Sequence, residues 1–178
     1  MMDYAKSYGI MHGMADGKYF SGYSLRRCAD QVGELVELTK PRQLLDYGSG
    51  KGYQYMERRV HERWGGMLPY LYDIGVRQLA ARPSGKFDGI ICTDVMEHIE
   101  ECDVAAVLED IFSFVSVRGE QEQSFVFFWI SCLTSHKLLP DGRNVHLTIK
   151  PPEWWCARLE RFNRHGLIVR SRYDGPAA

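Results

Sequence analysis

A chain of 178 residues is long enough for one domain with a real core, and short for an α/β enzyme. Its formal net charge of −1 provides no field that favours nucleic acid or an anionic membrane surface. The N-terminus lacks a charged-then-apolar leader and no apolar span reaches about 18 residues, so a soluble, cytoplasmic protein is expected.

Residues 1–22 are rich in Tyr, Met and Gly. Tyr4, Tyr8 and Met11 fall at i, i+4 and i+7, one face of a helix. This segment either packs its aromatic face on the domain or closes over a site as a lid, with Tyr4, Tyr8 and Tyr19 as candidate lid residues. Residues 23–178 form the domain proper. Ser24 is a candidate N-cap for a helix reaching Thr39, with Leu25, Cys28, Val32, Leu35 and Val36 on its apolar side. Pro41 stops it.

An apolar strand from Gln43 to Tyr47 leads into Gly48-Ser49-Gly50-Lys51-Gly52. Alternate glycines after a strand and before a helix make a turn that lets backbone approach a ligand closely. A phosphate-binding P-loop is excluded: Leu45 stands where its first Gly belongs, and Lys51 is followed by Gly52. The spacing is G-x-G-x-G with Asp46 two positions ahead, and the dinucleotide fingerprint is G-x-G-x-x-G. The next helix carries Met56, Val60 and Trp64 at four-residue intervals until Gly65-Gly66. A second strand, Leu68 to Tyr72, closes on Asp73, where a ribose-binding acid belongs.

Only thirteen residues, Ile74 to Lys86, precede the next buried strand. Pro83 and Gly85 leave room for a short helix at most. Phe87-Asp88-Gly89-Ile90-Ile91-Cys92 is that strand, and Asp94, Glu97 and His98 follow at its edge. Asp94 is a candidate base or cofactor ligand, or a helix cap; His98 reads more readily as a structural turn residue. Val104 to Val115 is an amphipathic helix, and Ser124 to Leu133 a strand apolar on both faces.

The polar stretch Ser135 to Lys150 follows that strand, with a turn at Asp141-Gly142. Asn144 and His146 lie two apart and share a side if extended. Pro151 and Pro152 open a helix in which Trp155, Leu159 and Phe162 face the core. Trp154 is turned about 100° away and is a candidate pocket wall. Leu167 to Tyr173 is the last strand. Five cysteines without a C-x-x-C pair read as reduced, packed thiols. Six histidines with no H-x-H or H-E-x-x-H spacing give no metal signature, and none is expected.

D-x-G-x-G-x-G at Asp46–Gly52, with FDGIICTDVMEHI at Phe87–Ile99, resembles the class I S-adenosylmethionine (SAM) methyltransferases, across roughly residues 20–175. The resemblance implies a Rossmann-like α/β fold, an open, mostly parallel sheet with helices on both faces. It is trimmed here at the third strand, so that the adenine has a reduced wall. It further implies that SAM is bound by Asp46, Gly48, Ser49, Gly50 and Gly52 at its methionine part. Asp73 would hold the ribose, and Asp94 with Val95 would lie near the sulfur. Catalytic candidates are Asp94, Asn144 and His146. The implied reaction is methyl transfer to a small-molecule acceptor of specialised metabolism. A weaker resemblance, through the compact form and the DGRNVHLT and WW stretches, is to azetidine-2-carboxylate synthases, which cyclise SAM with release of methylthioadenosine. No nucleic-acid or membrane partner is expected, and the oligomeric state is left open.

Overall fold

Strand residues that alternate between two apolar faces need cover on both sides, and the chain supplies it in one three-layer sandwich. The structure is a computed structural model that describes residues 8–10, 20–117 and 122–175. Its sheet has strands β1 (Leu44–Tyr47), β2 (Tyr70–Tyr72), β3 (Gly89–Thr93), β4 (Ser124–Ser131) and β5 (Leu167–Asp174) in the order β2-β1-β3-β4-β5. All four pairings are parallel. The helices are α1 (Ala29–Thr39), α2 (Tyr53–Met56), α3 (Val104–Ser113) and α4 (Pro152–Leu159).

Period-two alternation sorts the strand residues. Leu44, Ile91, Phe125, Phe127 and Trp129 face α1 together with Tyr55, Val60 and Trp64. Leu45, Ile90, Cys92, Val126, Phe128 and Ile130 face α3 and α4. Seven of the eight residues of β4 are buried, as a strand covered on both faces requires. Phe162 stacks on Phe112 with ring centroids 4.0 Å apart and extends the α3–α4 contact.

The free edge of β2 has no further strand among the described residues, so the trimmed sheet expected from the short link is present. Residues 74–79 form turns instead, closed by hydrogen bonds from Asp73 N to Leu79 O and from Leu79 N to Val76 O.

Several boundaries differ from the sequence reading. The helix expected over Ser24–Thr39 is a 3-10 turn, Ser24–Arg27, followed by α1. Ser24 caps nothing; its hydroxyl points to Asp94 Oδ2 at 3.4 Å. The helix after the glycines is also divided, into α2 and a 3-10 stretch Val60–Trp64. The break lies at Arg59, which has a left-handed φ of 49°. Val60 and Trp64 are buried as their spacing implied, while Met56 is 64% exposed. β2 begins at Tyr70, not Leu68, because Pro69 has no N–H to give to a ladder. Of the segment 1–22, residues 8–10 and 20–22 are described; Tyr4, Met11 and Tyr19 lie outside the described residues.

Candidate active site

In this strand order the chain leaves β1 toward β2 on one side and later returns to β3 on the other. The carboxyl ends of β1 and β3 therefore diverge, and parallel sheets bind ligands in the crevice that opens there. The crevice contains a cavity of about 150 Å³ that opens to solvent.

Gly48 and Gly50 form one wall and Asp73, Asp94 and Val95 the others, with Tyr8 and Phe20 across the top. The glycines have no substitute here. Gly48 has φ +79°, and a Cβ on it would lie 2.3 Å from Val95 Cγ2; Gly50 has φ +57°, and a Cβ would lie 2.5 Å from Phe20 O. Asp73 steadies the turn: Oδ2 accepts the Gly50 N–H and Oδ1 the Gly75 N–H, both at 2.8 Å.

The N–H groups at the start of α2 are already used. Lys51 N donates to Phe20 O, Tyr53 N to Ser21 O and Gln54 N to Gly22 O, at 3.1–3.2 Å. A phosphate-binding turn leaves such donors for its anion. Here the segment 20–22 occupies them, in agreement with the failed P-loop match.

Asp46, Ser49 and Gly52 stand behind the cavity and do not line it. Asp46 is 1% exposed, and its Oδ2 accepts from Tyr55 Oη at 2.7 Å and from Gln54 Nε2 at 3.2 Å. It thus ties α2 to β1. Burial pushes its carboxyl up to about 7, against the two hydrogen bonds that act to lower it.

Asp94 follows β3 with φ 61°, a conformation that Asp tolerates better than most residues and that costs about 1–3 kcal/mol. Its N–H reaches across to Trp129 O at 2.9 Å. Behind it, Glu97 is fully buried and accepts the Ser131 N–H on Oε1 at 2.7 Å. Burial, then the adjacent Asp94 charge, holds the Glu97 carboxyl well above the usual carboxylate range.

The loop after β4 folds back over this turn. Thr148 donates from N to Glu97 O and from Oγ1 to Ile99 O, and Val145 O meets His98 Nδ1 at 2.9 Å. Those bonds carry His146 to His98, with ring centroids 4.9 Å apart and planes at 89°. His98 is also enclosed by Tyr8 and Phe20 at 5.8 and 5.6 Å. Burial lowers its pKa to about 4, so the ring is neutral. A second cavity, lined by His136, Lys137 and His146, shares Asp94, His98 and Phe20 with the first.

Asn144 has another task. Its Oδ1 accepts from Ser135 N and His146 N, and its Nδ2 donates to Ser135 O. All of its polar atoms hold the loop together. Trp154 lines neither cavity; it packs against Trp155 and under the Arg158 guanidinium, 3.2 Å from its ring centroid. Tyr47, Tyr72, Ile74, Ile99 and Val107 were not foreseen as cavity residues. Ile74 read as the first residue of a link and the others as ordinary strand or helix positions, because only the sheet order reveals which strand ends open onto the crevice.

The parallel sheet, the glycine turn and the acid after β2 define a nucleoside-binding α/β enzyme without a pyrophosphate site. A family model described as a methyltransferase domain matches residues 19–166, and the chain belongs to that family. It is a SAM-dependent methyltransferase of class I. No curated protein and no solved structure matched the chain. Among the described residues no helix is long and apolar enough to cross a membrane.

Proposed function

We propose that this enzyme transfers a methyl group from SAM to a small-molecule acceptor held in the second cavity, in a biosynthetic reaction of specialised metabolism. When bound, SAM supplies an electrophilic methyl on a sulfonium. The residues present suit it: a Cβ-free turn at Gly48 and Gly50 for the amino acid part, and the Asp73 carboxylate for ribose hydroxyls. Tyr47, Tyr72 and Ile74 offer an apolar wall to the base. Asp94, Val95 and the faces of Tyr8 and Phe20 lie toward the sulfur, where aromatic faces and a carboxylate favour a cation.

The observation that carries the reading is the pair of cavities meeting at Asp94 and His98. Methyl transfer between two molecules needs two compartments with the reacting atoms at their junction, and fixing that geometry is worth about 7–11 kcal/mol. Asp94 and the neutral His98 stand at the junction as the groups to orient an acceptor or take its proton. Tyr8, with its hydroxyl 3.0 Å from His98 O, supports a covering role for the N-terminal segment.

Mass spectrometry of the purified protein with SAM and a panel of small hydroxyl and amine acceptors tests this. S-adenosylhomocysteine formed together with an acceptor heavier by one methylene supports it. Methylthioadenosine formed from SAM alone, with a cyclic amino acid as the other product, would overturn it in favour of cyclisation.

A further inference from the structure

Two histidines and an aspartate converge where the cavities meet, and methyl transfer by itself has no need for two imidazoles there. One potential ligand atom from each of Asp94, His98 and His146 lies within 4.8 Å of the other two. Both rings are prepared in the same way. His98 Nδ1 is 2.9 Å from the Val145 carbonyl, and His146 Nδ1 is 2.6 Å from the Leu133 carbonyl. A carbonyl can only accept, so each ring holds a proton on Nδ1, which leaves Nε2 as the atom that can ligate. An imidazole N–H given to a backbone carbonyl is how metal-ligating histidines are oriented.

His98 Nε2 is buried and has no hydrogen-bond partner, in a residue 6% exposed. An acceptor left so is unfavourable, and a cation at that point satisfies it.

We propose that Asp94, His98 and His146 bind a divalent first-row metal ion, which presents an oxygen-bearing acceptor to the methyl donor. Two imidazoles and one carboxylate suit manganese, cobalt or zinc better than calcium or magnesium, which prefer all-oxygen shells. Metal–ligand bonds of about 2.0–2.2 Å require the three atoms to draw closer, and the half-buried His146 loop provides that adjustment. Three protein ligands leave positions open for substrate. A hydroxyl bound there becomes more acidic; with Asp94 and His98 engaged as ligands they orient the acceptor through the metal, and its proton goes to solvent and not to them. An acceptor with two adjacent oxygens fills two open positions, so a vicinal diol or catechol-like hydroxyl is the class expected. The acceptor class rests on the methyltransferase reading; the cation site does not.

The test uses the chelator-treated full chain titrated with Co²⁺ by visible absorption and with Mn²⁺ by electron paramagnetic resonance. S-adenosylhomocysteine binding is measured in parallel by calorimetry. The wild type should bind one equivalent of metal. His146→Ala and Asp94→Asn should each bind at least tenfold more weakly while keeping the wild-type circular dichroism. The exposed, distant His165→Ala should bind as the wild type does. Absence of stoichiometric binding, or equal binding by all four proteins, overturns the site. If that happens while S-adenosylhomocysteine still binds, methyl transfer stands; metal bound without S-adenosylhomocysteine binding keeps the site and removes the acceptor class.

Discussion

Replacing Gly50 by Ala tests how the turn and the segment 20–22 hold each other. The added Cβ would lie 2.5 Å from Phe20 O, 2.9 Å from Gly22 N and 3.0 Å from Gly22 Cα. All three neighbours are backbone, so no side chain can rotate away. The left-handed φ of +57° costs an alanine about 1–2 kcal/mol. Relief of the clash moves residues 20–22 off the start of α2, where Phe20, Ser21 and Gly22 carbonyls take the N–H groups of Lys51, Tyr53 and Gln54. At about 0.5–1.5 kcal/mol for each of those bonds, the total comes to roughly 3–6 kcal/mol. Against a typical domain stability of about 5–15 kcal/mol, that is a large share. Urea denaturation of the variant beside Gly85→Ala, where a Cβ meets nothing within 4 Å, isolates the effect. Gly50→Ala should also lose S-adenosylhomocysteine affinity, since Phe20 forms part of the cavity roof. A Gly50→Ala protein within about 0.5 kcal/mol of the Gly85→Ala control would refute the reasoning.

Asp73→Ala leaves the Gly50 and Gly75 N–H groups without their carboxylate, and S-adenosylhomocysteine should bind at least tenfold more weakly by calorimetry; unchanged affinity would remove Asp73 from the ribose site. Trp155 is fully buried, so Trp155→Ala should cost about 3–5 kcal/mol in urea melts. Trp154→Ala should cost less and leave turnover intact, because Trp154 lines neither cavity. Asp46 gives a pH dependence of definite sign. Its carboxyl is held at about 7 in the fold against an ordinary value of 3.8, so the folded state retains a proton that the unfolded chain gives up. Its stabilising share is fully present below pH 4 and is lost as pH rises through 7, up to roughly 4 kcal/mol. Asp46→Asn, whose amide oxygen still accepts from Tyr55 and Gln54, should flatten the decline in stability between pH 4 and 7. Identical slopes in urea melts of the two proteins across that range would contradict this.

Much of the fold was legible because its signals are local. The strand before Gly48, the buried runs at Gly89–Thr93 and Ser124–Ser131, and the thirteen-residue link each follow from apolar patterning and chain length. Together with the family resemblance of the two motifs, they were enough to expect an open, mostly parallel sheet without its outer strand. Helix continuity was less legible. Met56, Val60 and Trp64 keep helical spacing, yet the backbone breaks at Arg59, and Ser24 turns its hydroxyl to Asp94 instead of capping α1. Spacing records which residues share a side; it carries no record of a left-handed residue between them.

Sequence by itself determined the glycine turn, the acid within β1 and the acid after β2, and the absence of a phosphate loop, since each is a matter of residue type at short spacing. Tertiary structure alone decided which of those acids reaches the cavity. Asp46 and Asp73 look alike in the chain, but strand parity sends the first into the core toward Tyr55 and leaves the second at the open edge. It also decided the meeting of Asp94, His98 and His146. The last two are separated by the whole of α3 and β4, and they meet only because the returning loop hydrogen-bonds to the turn after β3. Contacts of that kind depend on sheet order, which no local pattern encodes.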